Sequence, residues 1–167
     1  LSFDPRMVEV CAASDCGVIC MHIQGTPQTM QADPRYDNVV SDVQAYFRER
    51  IRDLSAAGID AERVMLDPGI GFGKTAEHNL EILSQLGLYL GMGLPILLGV
   101  SRKSFIGRIA GGATPIERLP GSLAAGLWGL AAGAALERAG GLLECLNCFT
   151  DGEFHAVDEF DGVGAFC

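Results

Sequence analysis

Basic side chains are scarce in this chain. Lysine occurs only at positions 74 and 103, and 12 basic against 21 acidic residues give a formal net charge of −9. The isoelectric point is near 4.7. A face that grips a phosphate backbone needs clustered cations, so nucleic-acid binding is excluded as the main activity. Long apolar runs are missing too. The apolar run at residues 123–136 is uncharged and 14 residues long. A membrane span needs roughly 18 or more, so this run reads as a buried helix and no membrane partner is expected. No Gly-x-Ser-x-Gly elbow occurs, and no His, Cys and carboxylate cluster has metal-ligand spacing. Nucleophilic hydrolysis and a structural zinc are therefore poor readings. Histidine stands only at 22, 78 and 155; His22 and His78 read as hydrogen-bonded structural residues. The six cysteines at 11, 16, 20, 145, 148 and 167 lack the pattern of a small secreted scaffold. They read as buried reduced thiols of a cytoplasmic protein. Cys145 and Cys148 form a C-x-x-C pair with no second pair at zinc spacing.

What is present is a core-forming composition: 49% apolar, 20% charged, mean hydropathy +0.25. Glycine, at 22 of 167 residues, is abundant without any repeat period, which suits tight turns and close backbone approaches. Three short apolar runs, 17–21, 64–66 and 95–100, each lead into a polar loop and then a helix-spaced segment. Strands that are apolar throughout are buried on both faces, the mark of a parallel sheet covered by helices. A doubly wound sheet or a (β/α)₈ barrel satisfies that order, and both place chemistry at the carboxyl ends of the strands. Residues 139–167 break the pattern. They hold no lysine or arginine and six acids, so the chain divides into a 1–138 domain and an acidic tail, 139–167, expected to be poorly ordered.

The three loops carry the chemistry. The first reads Met21-His22-Ile23-Gln24-Gly25-Thr26-Pro27. The second is Asp67-Pro68-Gly69-Ile70-Gly71-Phe72-Gly73-Lys74-Thr75; it misses the P-loop pattern at Pro68 and the dinucleotide fingerprint at Lys74, each by one residue. Its positive content is a carboxylate at a strand end, glycines that admit a ligand close to backbone, and an aromatic ring. A carboxylate accepts paired hydrogen bonds from an amidine-like edge of a flat heterocycle. The third loop is Gly99-Val100-Ser101-Arg102-Lys103-Ser104. Lys74 and Lys103, both held at strand ends in an acidic protein, point to an anionic or electron-rich ligand.

Together these loops resemble the dihydropteroate synthase family. The matching stretches are 21–31, 66–74 with His78-Asn79, 99–107, Arg118, and Gly121-Ser122-Leu123-Ala124. The resemblance implies a (β/α)₈ TIM barrel, here a partial barrel covering about strands 5–7. It implies condensation of 6-hydroxymethyl-7,8-dihydropterin pyrophosphate with p-aminobenzoate, giving 7,8-dihydropteroate and pyrophosphate, in an enzyme targeted by sulfonamides. It further implies that Met21, Asp67, Gly71, Gly99 and Lys103 bind the pterin, that Phe72, Lys103 and Ser104 shape the p-aminobenzoate site, and that Asp67 and Lys103 are catalytic. Magnesium is the implied cofactor, and a homodimer the implied assembly. The magnesium loop and strands one to four of the family are not among the stretches that match. Nor is the family's Arg-x-His strand, and a frameshift or fusion near Glu137 is the expected origin of that break. Two other readings stand beside the enzyme: a pterin-binding fragment that does not catalyse, and an inactive half-barrel that self-associates.

Overall fold

The computed structural model describes residues 4, 6–134, 136–139 and 142–144. The elements run α1 (Met7–Ala12), β1 (Val18–Met21), α2 (Val39–Ala56), β2 (Val64–Asp67), α3 (Ala76–Ser84), α4 (Gly87–Leu90), β3 (Leu97–Leu98), α5 (Ser104–Ile109), α6 (Leu119–Ala132), β4 (Leu136–Ala139) and β5 (Leu142–Glu144). The β-loop-α order read from the sequence is the order observed. Strands β1 and β2 pair in parallel, with Val18 opposite Val64 and Met21 opposite Asp67. Strand β2 reaches the third strand through a bridge between Leu66 and Ile96 and a 2.9 Å bond from Leu66 N–H to the Pro95 carbonyl. Strands β3 and β4 pair in parallel as well, and β5 returns antiparallel.

Two features depart from the expected layout. Only Leu97 and Leu98 form the third strand, although residues 95–100 are all apolar or small. Apolar composition marks burial, whereas a strand also needs a ladder partner along its length. A further strand, β4, lies where no strand was expected, so the 138/139 boundary falls within a paired segment. Residues 145–167, with Cys145, Cys148 and His155, lie outside the described residues.

Helix α2 shows how the sequence sets the packing. Asn38 caps it, its side chain accepting from Ser41 N–H at 2.9 Å. Val39, Val43 and Phe47 recur every four residues and are buried with Val40 and Leu54. Phe47 is fully buried and meets the Tyr89 ring edge-on at 6.0 Å. Burying one such side chain contributes about 2–3 kcal/mol. The parallel strands supply Val18, Cys20, Leu66, Ile96 and Leu98 to the same core.

Helix α6 begins at Leu119, four residues ahead of the apolar run, because Pro120 suits the first turn of a helix. It is not the buried helix its composition suggested. Its small residues, Gly126 and Gly129, face inward, and Leu98 lies where a Gly129 side chain would be. Leu123, Leu127 and Trp128 are exposed. The thiols also divide: Cys11 and Cys20 are buried, while Cys16 is exposed because it lies in the turn between α1 and β1.

Candidate active site

Asp67 is the last residue of β2 and is buried. One carboxylate oxygen accepts from Gly69 N–H at 2.7 Å. Burial pushes its carboxyl up to about 6, against the pull of that hydrogen bond and of Lys103 and Lys74. A buried carboxylate with spare lone pairs at a strand end is suited to a ligand that brings its own donors.

The glycine-rich loop after Asp67 takes a shape that side chains resist. Gly69 has φ +68, and a Cβ there would collide with the His22 carbonyl. Gly71 at φ +83 leaves room for the Lys103 stem, whose Cδ stands 3.1 Å from where a Cβ would be. Side chains from elsewhere hold the loop. Gln31 donates to the Gly71 carbonyl at 2.6 Å, Tyr36 hydroxyl donates to the Gly73 carbonyl at 2.7 Å, and Gly71 N–H donates to Asn79 at 2.7 Å. Thr75 and His78 then form a reciprocal capping box that starts α3.

Lys74 is the lock under this loop, and it corrects a sequence expectation. It does not face a ligand. Its ammonium is buried and donates to the Gly69 and Phe72 carbonyls, both at 3.0 Å, and to His22 Nδ1 at 2.9 Å. Its three protons are thus used on the protein itself. Burial pulls Lys74 down to about 7, opposed by Asp67, and pulls His22 down to about 3. His22 is therefore a neutral structural acceptor, and His78, in the capping box, is structural as well. The Gly-Lys-Thr triplet was the available signal for Lys74, but its cation points inward.

Lys103, by contrast, opens onto the site. Its Nζ lies 4.0 Å from the centroid of the Phe72 ring, a cation–π contact. Burial lowers its ammonium while Asp67 acts to raise it. Four of the expected site residues, Asp67, Gly71, Phe72 and Lys103, are thereby brought together. Met21 ends β1 beside Asp67 and is half-buried. Gly99 sits just beyond β3, where a Cβ would meet open space. Ser104 is exposed at the start of α5. Among the described residues, no three His, Cys, Asp or Glu side chains are grouped to hold a metal ion. No residue among those described is assigned to a magnesium ion. No helix among the described residues is long and apolar enough to cross a membrane.

A family model described as pterin binding enzyme matches residues 1–139. The chain belongs to the pterin-binding enzyme family. A dihydropteroate synthase of Neisseria meningitidis serogroup B is 45% identical over 139 residues, covering 81% of this chain and 49% of the relative. The Yersinia pestis dihydropteroate synthase solved with a sulfonamide drug superposes with TM-score 0.78 at 37% identity, over 81% of this chain and 49% of that one. The Xanthomonas albilineans enzyme in complex with 7,8-dihydropteroate gives TM-score 0.75 at 37% identity, over 81% and 50%. This pterin-binding family member thus spans about half the length of its named relatives. Its α/β fold is part of the barrel seen in those structures.

Proposed function

We propose that this chain carries the pterin and p-aminobenzoate subsites of a dihydropteroate synthase, contributed by about strands 5–7 of the barrel within residues 1–138. The observation that carries this reading is the convergence of Asp67, Gly71, Phe72 and Lys103 at the carboxyl ends of parallel strands. The relatives' bound product and sulfonamide support it.

In this reading, the Asp67 carboxylate accepts hydrogen bonds from the pterin amino group and ring N–H. Met21, Gly71 and Gly99 line the slot for the flat ring. Lys103 donates to the pterin's polar edge, and with Phe72 and Ser104 it shapes the p-aminobenzoate site. The arylamine nitrogen attacks the methylene carbon as its bond to the pyrophosphate oxygen breaks. The nitrogen loses one proton, and pyrophosphate leaves with the bonding pair. Positioning of the two substrates and stabilisation of the departing charge supply the acceleration. Asp67 must be ionised to accept from two donors, so pterin binding weakens as pH falls below about 6.

Titration calorimetry with a pterin and with p-aminobenzoate tests the proposal. Pterin heat that Asp67→Ala abolishes supports it, and no heat from either ligand opposes it. Turnover by the 167-residue chain separates an active enzyme from a fragment that only binds. We further propose a second copy of this chain as partner, supported by the uncovered Leu123, Leu127 and Trp128 of α6. Sedimentation of wild type and Leu127→Glu checks this, a monomer in both opposing it.

A further inference from the structure

Arg102 is the one non-glycine residue with positive φ among the described residues, at +49°. An L-residue there costs about 1 kcal/mol or more, so the surroundings must hold it. They do so through the start of α6. Arg102 N–H donates to Ser122 Oγ at 2.8 Å, and that hydroxyl donates onward to the Arg118 carbonyl at 2.9 Å. Arg118 Nη1 donates back to the Arg102 carbonyl at 3.1 Å, while its Nε is anchored on the Ala113 carbonyl at 2.9 Å. Both polar groups of the Arg102 backbone are therefore taken by side chains at the start of α6, Ser122 within the helix and Arg118 capping it. Ser122 is completely buried, so water does not replace its hydroxyl. The next residue is Lys103, whose stem passes Gly71 and whose ammonium sits over Phe72. A backbone rotation at Arg102 would swing that side chain out of the site.

We propose that Ser122, with Arg118, is a positioning residue: it clasps Arg102 in the left-handed conformation and so aims Lys103 across Gly71 at the Phe72 ring. Its consequence for ligand binding rests on the role given to Lys103 above, but the clasp itself can be read without ligand. The chain has just two lysines, so [ε-¹³C]lysine labelling yields two resonances, assigned with Lys103→Arg. In the wild type, the Lys103 ε-protons are expected to be displaced upfield by the Phe72 ring, and Phe72→Leu to remove the displacement. Ser122→Ala, and the near-isosteric Ser122→Cys should the alanine variant not fold, are expected to return Lys103 to the position of free lysine while Lys74 stays put. Adding Arg102→Gly is expected to restore the displacement, because glycine reaches positive φ without a clasp. A merely structural Ser122 would not be rescued in this way. An unmoved Lys103 resonance in the Ser122 variants, or no restoration by Arg102→Gly, would overturn the proposal. Calorimetry on the same wild-type sample separates the two readings: absent pterin and p-aminobenzoate binding counts against the proposed function, whereas the lysine spectrum alone decides the clasp.

Discussion

The loops after β2 and β3 each carry one of the two lysines, and they are built on different plans. The β2 loop is locked from below: Lys74 is buried and donates to Gly69, Phe72 and His22. The β3 loop is held from the side, by Ser122 and Arg118 on the backbone of Arg102, which frees Lys103 for the Phe72 ring. One cation is thus spent on the loop's own carbonyls, and the other stands over an aromatic ring. The difference teaches that a cation at a strand end is assigned by its partners. Carbonyls at 3.0 Å make Lys74 structural, whereas Lys103 meets the face of Phe72.

The largest test of this contrast is at glycine. Gly69→Ala forces a side chain against the His22 backbone at positive φ, and should cost about 3 kcal/mol or more in chemical denaturation. Gly71→Ala meets only the flexible Lys103 stem and should cost about 1–2 kcal/mol. Equal losses would mean that the loop is held no more tightly beside the His22 carbonyl than beside the Lys103 stem. Next come the lysines. Lys74→Met leaves buried carbonyls without their donor and should lower the denaturation midpoint by about 2–3 kcal/mol equivalent. Lys103→Met removes a cation–π contact of about 0.5–1 kcal/mol and should hardly move it.

The pH dependence of stability sharpens the same point. Asp67 sits at about 6 in the folded chain against an ordinary 3.8, so the folded state holds the extra proton between those values. Its contribution to stability therefore falls as pH rises from 3.8 to about 6. Lys74 sits at about 7 against 10.5, so the unfolded chain holds the extra proton, and its contribution rises with pH across that window. Denaturation midpoints followed across pH should show both slopes. Asp67→Asn should flatten the first and Lys74→Met the second. The smallest effect belongs to Ser104→Ala, an exposed position expected to change stability by less than about 0.5 kcal/mol. A larger loss there would place Ser104 in the packed framework.

Much of this was legible in the residues. The runs 17–21 and 64–66 became β1 and β2, and the valines and Phe47 of α2 announced their buried stripe by spacing alone. The family, too, was readable from three loops. Other features were hidden because they depend on partners far along the chain. The inward aim of Lys74 needs His22, 52 residues away. The left-handed turn at Arg102 needs Ser122, 20 residues on. The exposure of Leu123, Leu127 and Trp128 needs a helix whose glycines, not its leucines, face the sheet.

By itself, then, the sequence determined which residue types stand at the strand ends: a carboxylate, glycines, an aromatic and two cations. Those choices are local, set by order along the chain and by what each side chain can donate or accept. Only the tertiary structure decided which cation is consumed by the fold and which stands over an aromatic ring. Hydrogen-bond satisfaction under burial made that choice, and burial is a property of the whole packed molecule.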